Sequence, residues 1–95
     1  MRRRAAKVDA NHADIVAALR RIGCRVQSLA ALGNGVPDLL CARAGRLRLL
    51  EVKDGSLAPS RRQLTDAEAA FYDLWHPHVV VVGSVDEALA AMGAG

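Results

Sequence analysis

The chain has 95 residues, 52% hydrophobic and 24% charged, with single Trp, Tyr and Phe residues. One domain with an aliphatic core is expected, and a disordered or two-domain chain is excluded. No apolar run approaches the roughly 20 residues of a membrane span, and no apolar stretch follows Arg2-Arg3-Arg4 before Asp9, as an export signal would require; a soluble cytoplasmic domain is the expectation. Arg2, Arg3, Arg4 and Lys7 hold four of the thirteen basic side chains, which leaves nine basic against ten acidic groups in the rest of the chain. The net charge of +3 therefore resides in a tail suited to phosphate contacts.

Residues 1–8 are expected as a flexible basic tail and residues 9–92 as a single domain. Ile15, Val16, Leu19 and Ile22 recur at helical spacing after Asp9, a plausible N-cap, and Gly23 ends the run. Arg25 to Leu29 reads as a short strand, broken by Gly33-Asn34-Gly35. Asp38 to Ala42 and Leu47 to Lys53 read as two strands joined at Ala44-Gly45. A loop of two or four residues centred there sets Asp38 opposite Glu51, Leu40 opposite Leu49 and Ala42 opposite Leu47. Both faces of this hairpin are apolar, as in a central, doubly covered pair.

Thr65-Asp66-Ala67-Glu68 matches a capping box. The helix it opens has Ala67, Ala70, Phe71, Leu74 and Trp75 along one face, expected inward, and Pro77 ends it. His78 to Val82 is a β-branched strand, and Ser84-Val85-Asp86-Glu87 is a second capping box before a helix with Val85, Ala88, Leu89 and Met92 inward. The order is α-β-β-β-α-β-α, an α/β sandwich around a mixed central sheet. Cys24 and Cys41 suit neither a disulfide framework nor a metal cluster, so reduced core thiols are expected. His12, His76 and His78 have no metal-ligand spacing with them.

The chemistry-bearing feature is Pro37-Asp38 followed, one hairpin later, by Glu51-Val52-Lys53. Glu51 and Lys53 are two apart on a strand and share a face, and the register brings Asp38 to that face. Two opposed carboxylates repel unless a cation lies between them. Oxygen donors on a rigid hairpin, with the Val52 backbone carbonyl and waters, suit Mg²⁺ or Mn²⁺. Lys53 beside them can act on a water or on charge developing at a phosphate. An E-x-K triplet alone is common on exposed strands; the preceding Pro-Asp, the hairpin and its apolar flanks set this one apart.

These residues resemble the PD-(D/E)XK nuclease superfamily. Gly35-Val-Pro-Asp-Leu-Leu, Leu-Glu-Val-Lys-Asp-Gly and Ser-Arg-Arg-Gln-Leu-Thr are similar, more closely, to its VRR-NUC type of phage and bacterial chains, over roughly residues 9–90. The resemblance implies a restriction-endonuclease-like fold and an Mg²⁺-dependent endonuclease hydrolysing DNA phosphodiesters, with Asp38 and Glu51 as metal ligands and Lys53 as catalytic lysine. Branched DNA such as a four-way junction is among the substrates it suggests. It also places Asp14 where relatives have an acidic residue facing the metal. Many relatives have Gln in a Q-x-x-x-Y pattern on the later helix; here Glu68 and Tyr72 have that spacing, with Glu replacing Gln.

Arg61 and Arg62, beyond the active strand, and the tail residues Arg2, Arg3, Arg4 and Lys7 are the candidate DNA-phosphate contacts. One copy offers DNA little positive charge, and two copies would present a cutting site to each strand, so a homodimer is expected. Stand-alone relatives are thought to work the same way. Two rival readings stand beside the nuclease. One is a non-catalytic DNA-binding or assembly module that retains the fold, and the other is a small interaction domain with an incidental carboxylate pair.

Overall fold

The computed structural model describes residues 11–57 and 63–94. Helix α1 is His12–Arg21, followed by strands β1 (Arg25–Ser28), β2 (Leu39–Arg43) and β3 (Arg46–Val52). Helix α2 (Asp66–Trp75), strand β4 (Val79–Val82) and helix α3 (Val85–Ala91) complete the chain. The strands form one mixed sheet of order β1-β2-β3-β4, antiparallel except for the parallel pair β3 and β4. The expected order of helices and strands is therefore the observed one. A single 3₁₀ turn at Ala30–Leu32 follows β1, where the sequence reading had continued the strand to Leu29.

The β2–β3 register is the expected one: Leu39 faces Leu50, Leu40 faces Leu49, and Ala42 faces Leu47. Arg43 pairs with Arg46, so the loop is the two residues Ala44 and Gly45, both at positive φ (49° and 80°). Those angles make a type I′ turn, whose twist matches that of the flanking strands.

Alternation along β2 and β3 divides the sheet into two unlike faces. Leu39, Cys41, Leu50 and Val52, with Val82 of β4, pack against Ile15 and Leu19 of α1 and Ala88 and Met92 at α3. This is the core. Cys24 and Cys41 are buried in it as free thiols, and burial holds both above the usual thiol range, so they are packing groups and poor nucleophiles. Ser84 accepts the Glu87 N–H as expected of an N-cap, while the Glu87 carboxylate reaches back to Gly83 N at 2.6 Å.

The opposite face departs from expectation. Leu40, Leu47 and Leu49 line it, yet Leu47 is 56% exposed. Helix α2 stands beside this face without closing on it, leaving an apolar groove of about 540 Å³ bordered by Val36, Phe71 and Trp75. The stripe expected to point inward is not buried: Ala67 and Ala70 are exposed, Phe71 is half-buried, and Leu74 and Trp75 are 83% and 50% exposed. Phe71 and Trp75 stack on each other at 5.3 Å instead. The reason is how the helix is held. Its docking is concentrated at its first turn, where Gly35 (φ 82°) lies so near the backbone of Ala67 that any Cβ would collide with that carbonyl. Asp9, the expected cap of α1, lies outside the described residues, and Asn11 occupies the N-cap position.

Candidate active site

The site lies where β2 begins and β3 ends, on the sheet face next to α2. Glu51 is the one buried charged-type residue among those described, 5% exposed; the in-out alternation of β3 turns it away from Leu50 and Val52 of the core face, towards Lys53 and Glu68. The β2–β3 ladder stops at Leu39–Leu50, one step short of the expected Asp38–Glu51 pair. Asp38 reaches the same place by another route. Its carbonyl accepts from Leu29 N at 2.7 Å, and its carboxylate Oδ2 accepts the Val52 N–H at 2.7 Å. The carbonyl of a strand residue leaves the same edge as its N–H, so the Val52 carbonyl is directed to the Asp38 side.

Lys53 Nζ stands 2.8 Å from Glu68 Oε1 and 3.7 Å from Glu51 Oε2. The shorter contact is the ion pair, with both side chains largely shielded from solvent. Glu68 also accepts the Thr65 N–H at 2.9 Å while Thr65 Oγ1 accepts the Glu68 N–H, which completes the expected capping box. One carboxylate thus caps α2 and holds the lysine. The capping box was expected from sequence; the contact with Lys53 was not.

The electrostatics follow from crowding three carboxylates around one cation. Burial, then the charges of Asp38 and Glu68, push the Glu51 carboxyl up to about 9, against which Lys53 pulls only partly. The 3.7 Å contact of Glu51 with Lys53 is the weaker of the lysine's two carboxylate contacts. Burial alone would lower Lys53, but the hydrogen bond and charge of Glu68, with Glu51 and Asp38 behind it, hold it above the usual lysine range. Glu68 is likewise disfavoured by burial and is held below the carboxylate range by Lys53 and the Thr65 amide.

A further residue holds this end of the sheet. Asn11, at the start of α1, donates from Nδ2 to the carbonyls of Gly83 (2.7 Å) and Lys53 (3.3 Å), tying the strand end that carries Lys53 to the one that follows β4. Nothing in local sequence marks that role, because an Asn ahead of an apolar helix reads as a cap and Asn11 makes no side-chain cap bond.

Of the other sequence-derived candidates, Asp14 is exposed on α1, which packs against the opposite face of the sheet. It does not join Asp38 and Glu51: among the described residues no three His, Cys, Asp or Glu side chains are grouped to hold a metal. Tyr72 packs against His76 at 5.1 Å, one helical turn from Glu68. Arg61, Arg62, Arg2, Arg3, Arg4 and Lys7 lie outside the described residues. The donor set on hand is therefore two carboxylates and a backbone carbonyl. That set fits Mg²⁺ or Mn²⁺, which take oxygen donors and keep several waters or substrate oxygens. A dication would also supply the opposite charge that Glu51 lacks.

Comparison with known protein families, with curated proteins and with solved structures returned no match. The chain is a mixed α/β domain of one four-stranded sheet and three helices among the described residues, none of which is long and apolar enough to cross a membrane.

Proposed function

We propose that this chain is a metal-dependent DNA endonuclease of restriction-endonuclease-like fold and PD-(D/E)XK type. The observation that carries the reading is the burial of Glu51 beside Asp38, with the Lys53 ammonium 3.7 Å away. Opposed carboxylates with a lysine at their side cost stability in an empty site and suit phosphodiester chemistry in a loaded one. Asp38, Glu51 and the Val52 carbonyl would hold Mg²⁺ or Mn²⁺, which when bound supplies Lewis acidity and an acidic water. Lys53, steadied by Glu68, places a point charge where the phosphate's negative charge grows. Asn11 and the Asp38–Val52 bond keep the two strand ends at fixed separation.

A second reading has its own support. Glu68 occupies Lys53 with a full negative charge where the nuclease resemblance has a neutral amide, which favours a DNA-binding module that keeps the fold without cutting. One experiment separates the two. Linear, nicked, flap and four-way DNA incubated with the protein and Mn²⁺ should be cleaved, and Lys53→Ala should stop cleavage. Mn²⁺ should still raise the melting temperature of Lys53→Ala as it does the parent's, and Asp38→Ala should abolish that rise. A parent chain whose melting temperature ignores Mn²⁺ refutes the metal site, and metal binding without cleavage selects the module.

A further inference from the structure

Seven Lys and Arg side chains fall among the described residues, and six of them, all arginines, gather at the end of the sheet remote from Lys53. Arg20 and Arg21 close α1, Arg25 opens β1, Arg43 ends β2, and Arg46 and Arg48 begin β3. The register brings them together, since Arg25 faces Ala42 and Arg43 faces Arg46 across the hairpin end. None is ion-paired among the described residues, where Lys53 makes the salt bridges. Arg20, Arg43 and Arg48 instead donate to the backbone carbonyls of Val26, Ile22, Met92 and Leu47, which fixes their guanidinium groups without neutralising them.

Two clefts open between these arginines. One, of about 750 Å³, has Arg20 and Arg25 in its lining. The other, of about 400 Å³, has Arg25, Arg43 and Arg46. They share Gly23, Arg25, Ala42 and Leu47, and among the described residues no acidic side chain lines either. Small residues at the floor let a backbone anion approach the guanidinium forks, which match phosphate oxygens two at a time. Six cations spread over four elements exceed what one small phosphate can engage, so a polymeric anion suits them better. Arg25 pairs with Ala42, and Ala42 with Leu47, so its side chain rises on the same sheet face as Glu51. Four residues along β3 separate Leu47, level with Arg25 on that face, from Glu51, about 13 Å at strand rise, or about four base pairs of duplex.

We infer that this arginine end is a phosphate-backbone binding surface that holds duplex DNA alongside the Asp38–Glu51 site. The choice of DNA rests on the proposed nuclease reading, whereas the anion chemistry does not. The contacts are sequence-independent and need no metal.

The test is equilibrium binding of a labelled duplex of about 20 base pairs to the full chain in EDTA, with salt varied from about 50 to about 200 mM. EDTA keeps the metal site out of the measurement, so its outcome is separate from that of the Mn²⁺ melts. Arg25 and Arg46 are exposed and make no side-chain hydrogen bond or ion pair among the described residues, so Arg25→Ala/Arg46→Ala should melt as the parent does. Its plot of log affinity against log salt should be shallower by about 2, one phosphate contact for each arginine removed. An unchanged slope, or a parent chain that does not bind the duplex, overturns the surface. Poly-glutamate bound as tightly as the duplex overturns the assignment to nucleic acid in favour of an acidic protein. Loss of slope in the double variant together with a failed Mn²⁺ response keeps the surface and removes the nuclease.

Discussion

At the residue scale the informative group is Glu51, because its surroundings set its charge. A carboxyl held neutral by burial and by Asp38 and Glu68 binds its proton more tightly in the folded chain than in the unfolded one. The sign follows directly. The folded value, about 9, lies above the ordinary 4.5, so the contribution to stability is full below about 4.5 and is lost as pH rises towards about 9. Metal-free protein should therefore melt at progressively lower temperature across that window, and Glu51→Gln, neutral at every pH, should flatten the decline. Thermal melts of the two chains in EDTA at matched ionic strength check this, and parallel curves would show that Glu51 is ionised in the folded state. The same crowding explains why Lys53 stays charged: the carboxylates that raise Glu51 stabilise the ammonium beside them.

At the scale of elements, the hairpin and α2 make opposite demands. The β2–β3 turn places Ala44 at φ 49°, a region where a side chain with Cβ costs roughly 1–2 kcal/mol. Ala44→Asn, which supplies the residue type I′ turns prefer before Gly45, should stabilise the chain by about 0.5–1 kcal/mol. The melting temperature should rise by a few degrees, and a fall would mean that the turn is not of that type. In α2 the expectation concerns insensitivity. Leu74→Ser removes a side chain that is 83% exposed and should change stability by less than about 0.5 kcal/mol. Leu50→Ala, at a fully buried position of β3, should cost about 2–5 kcal/mol. Urea titrations of the two variants make the contrast, and comparable losses would mean that α2 closes onto the sheet in solution.

At the scale of the whole molecule, charge is segregated along the hairpin. Acidic groups gather where β2 begins and β3 ends, and arginines gather at the turn. A single copy presents one such polarity and one candidate site. A homodimer would present two sites and double the cationic surface, and remains our proposal for the working form. Light scattering at tens of micromolar should give twice the chain mass, and the mass of one chain would refute it. Deletion of residues 1–7 should leave that mass state unchanged.

The sequence by itself determined what depends on local chemistry. Periodicity, caps and glycines set the order of helices and strands, and the spacing around Ala44-Gly45 set the β2–β3 register, because a two-residue turn leaves the pleat no freedom to slip. Glu51 and Lys53 sharing a face follows from that same period of two. The capping box at Thr65 and Glu68 was legible for the same reason, since its partners are three residues apart. Tertiary structure alone decided what crosses between elements. Nothing in the α2 stripe says whether another surface comes close enough to bury it, and the groove beside Phe71 and Trp75 shows that none among the described residues does. Glu68 meeting Lys53, Asn11 bracing Lys53 and Gly83, and Asp38 reaching Val52 through its side chain are contacts between distant segments. The gathering of six arginines is of the same kind: they are scattered along residues 20–48, and only the antiparallel pairing of β1, β2 and β3 folds them to one end. A polar side chain announces its chemistry in sequence, but its partner is chosen by how the sheet and helices pack.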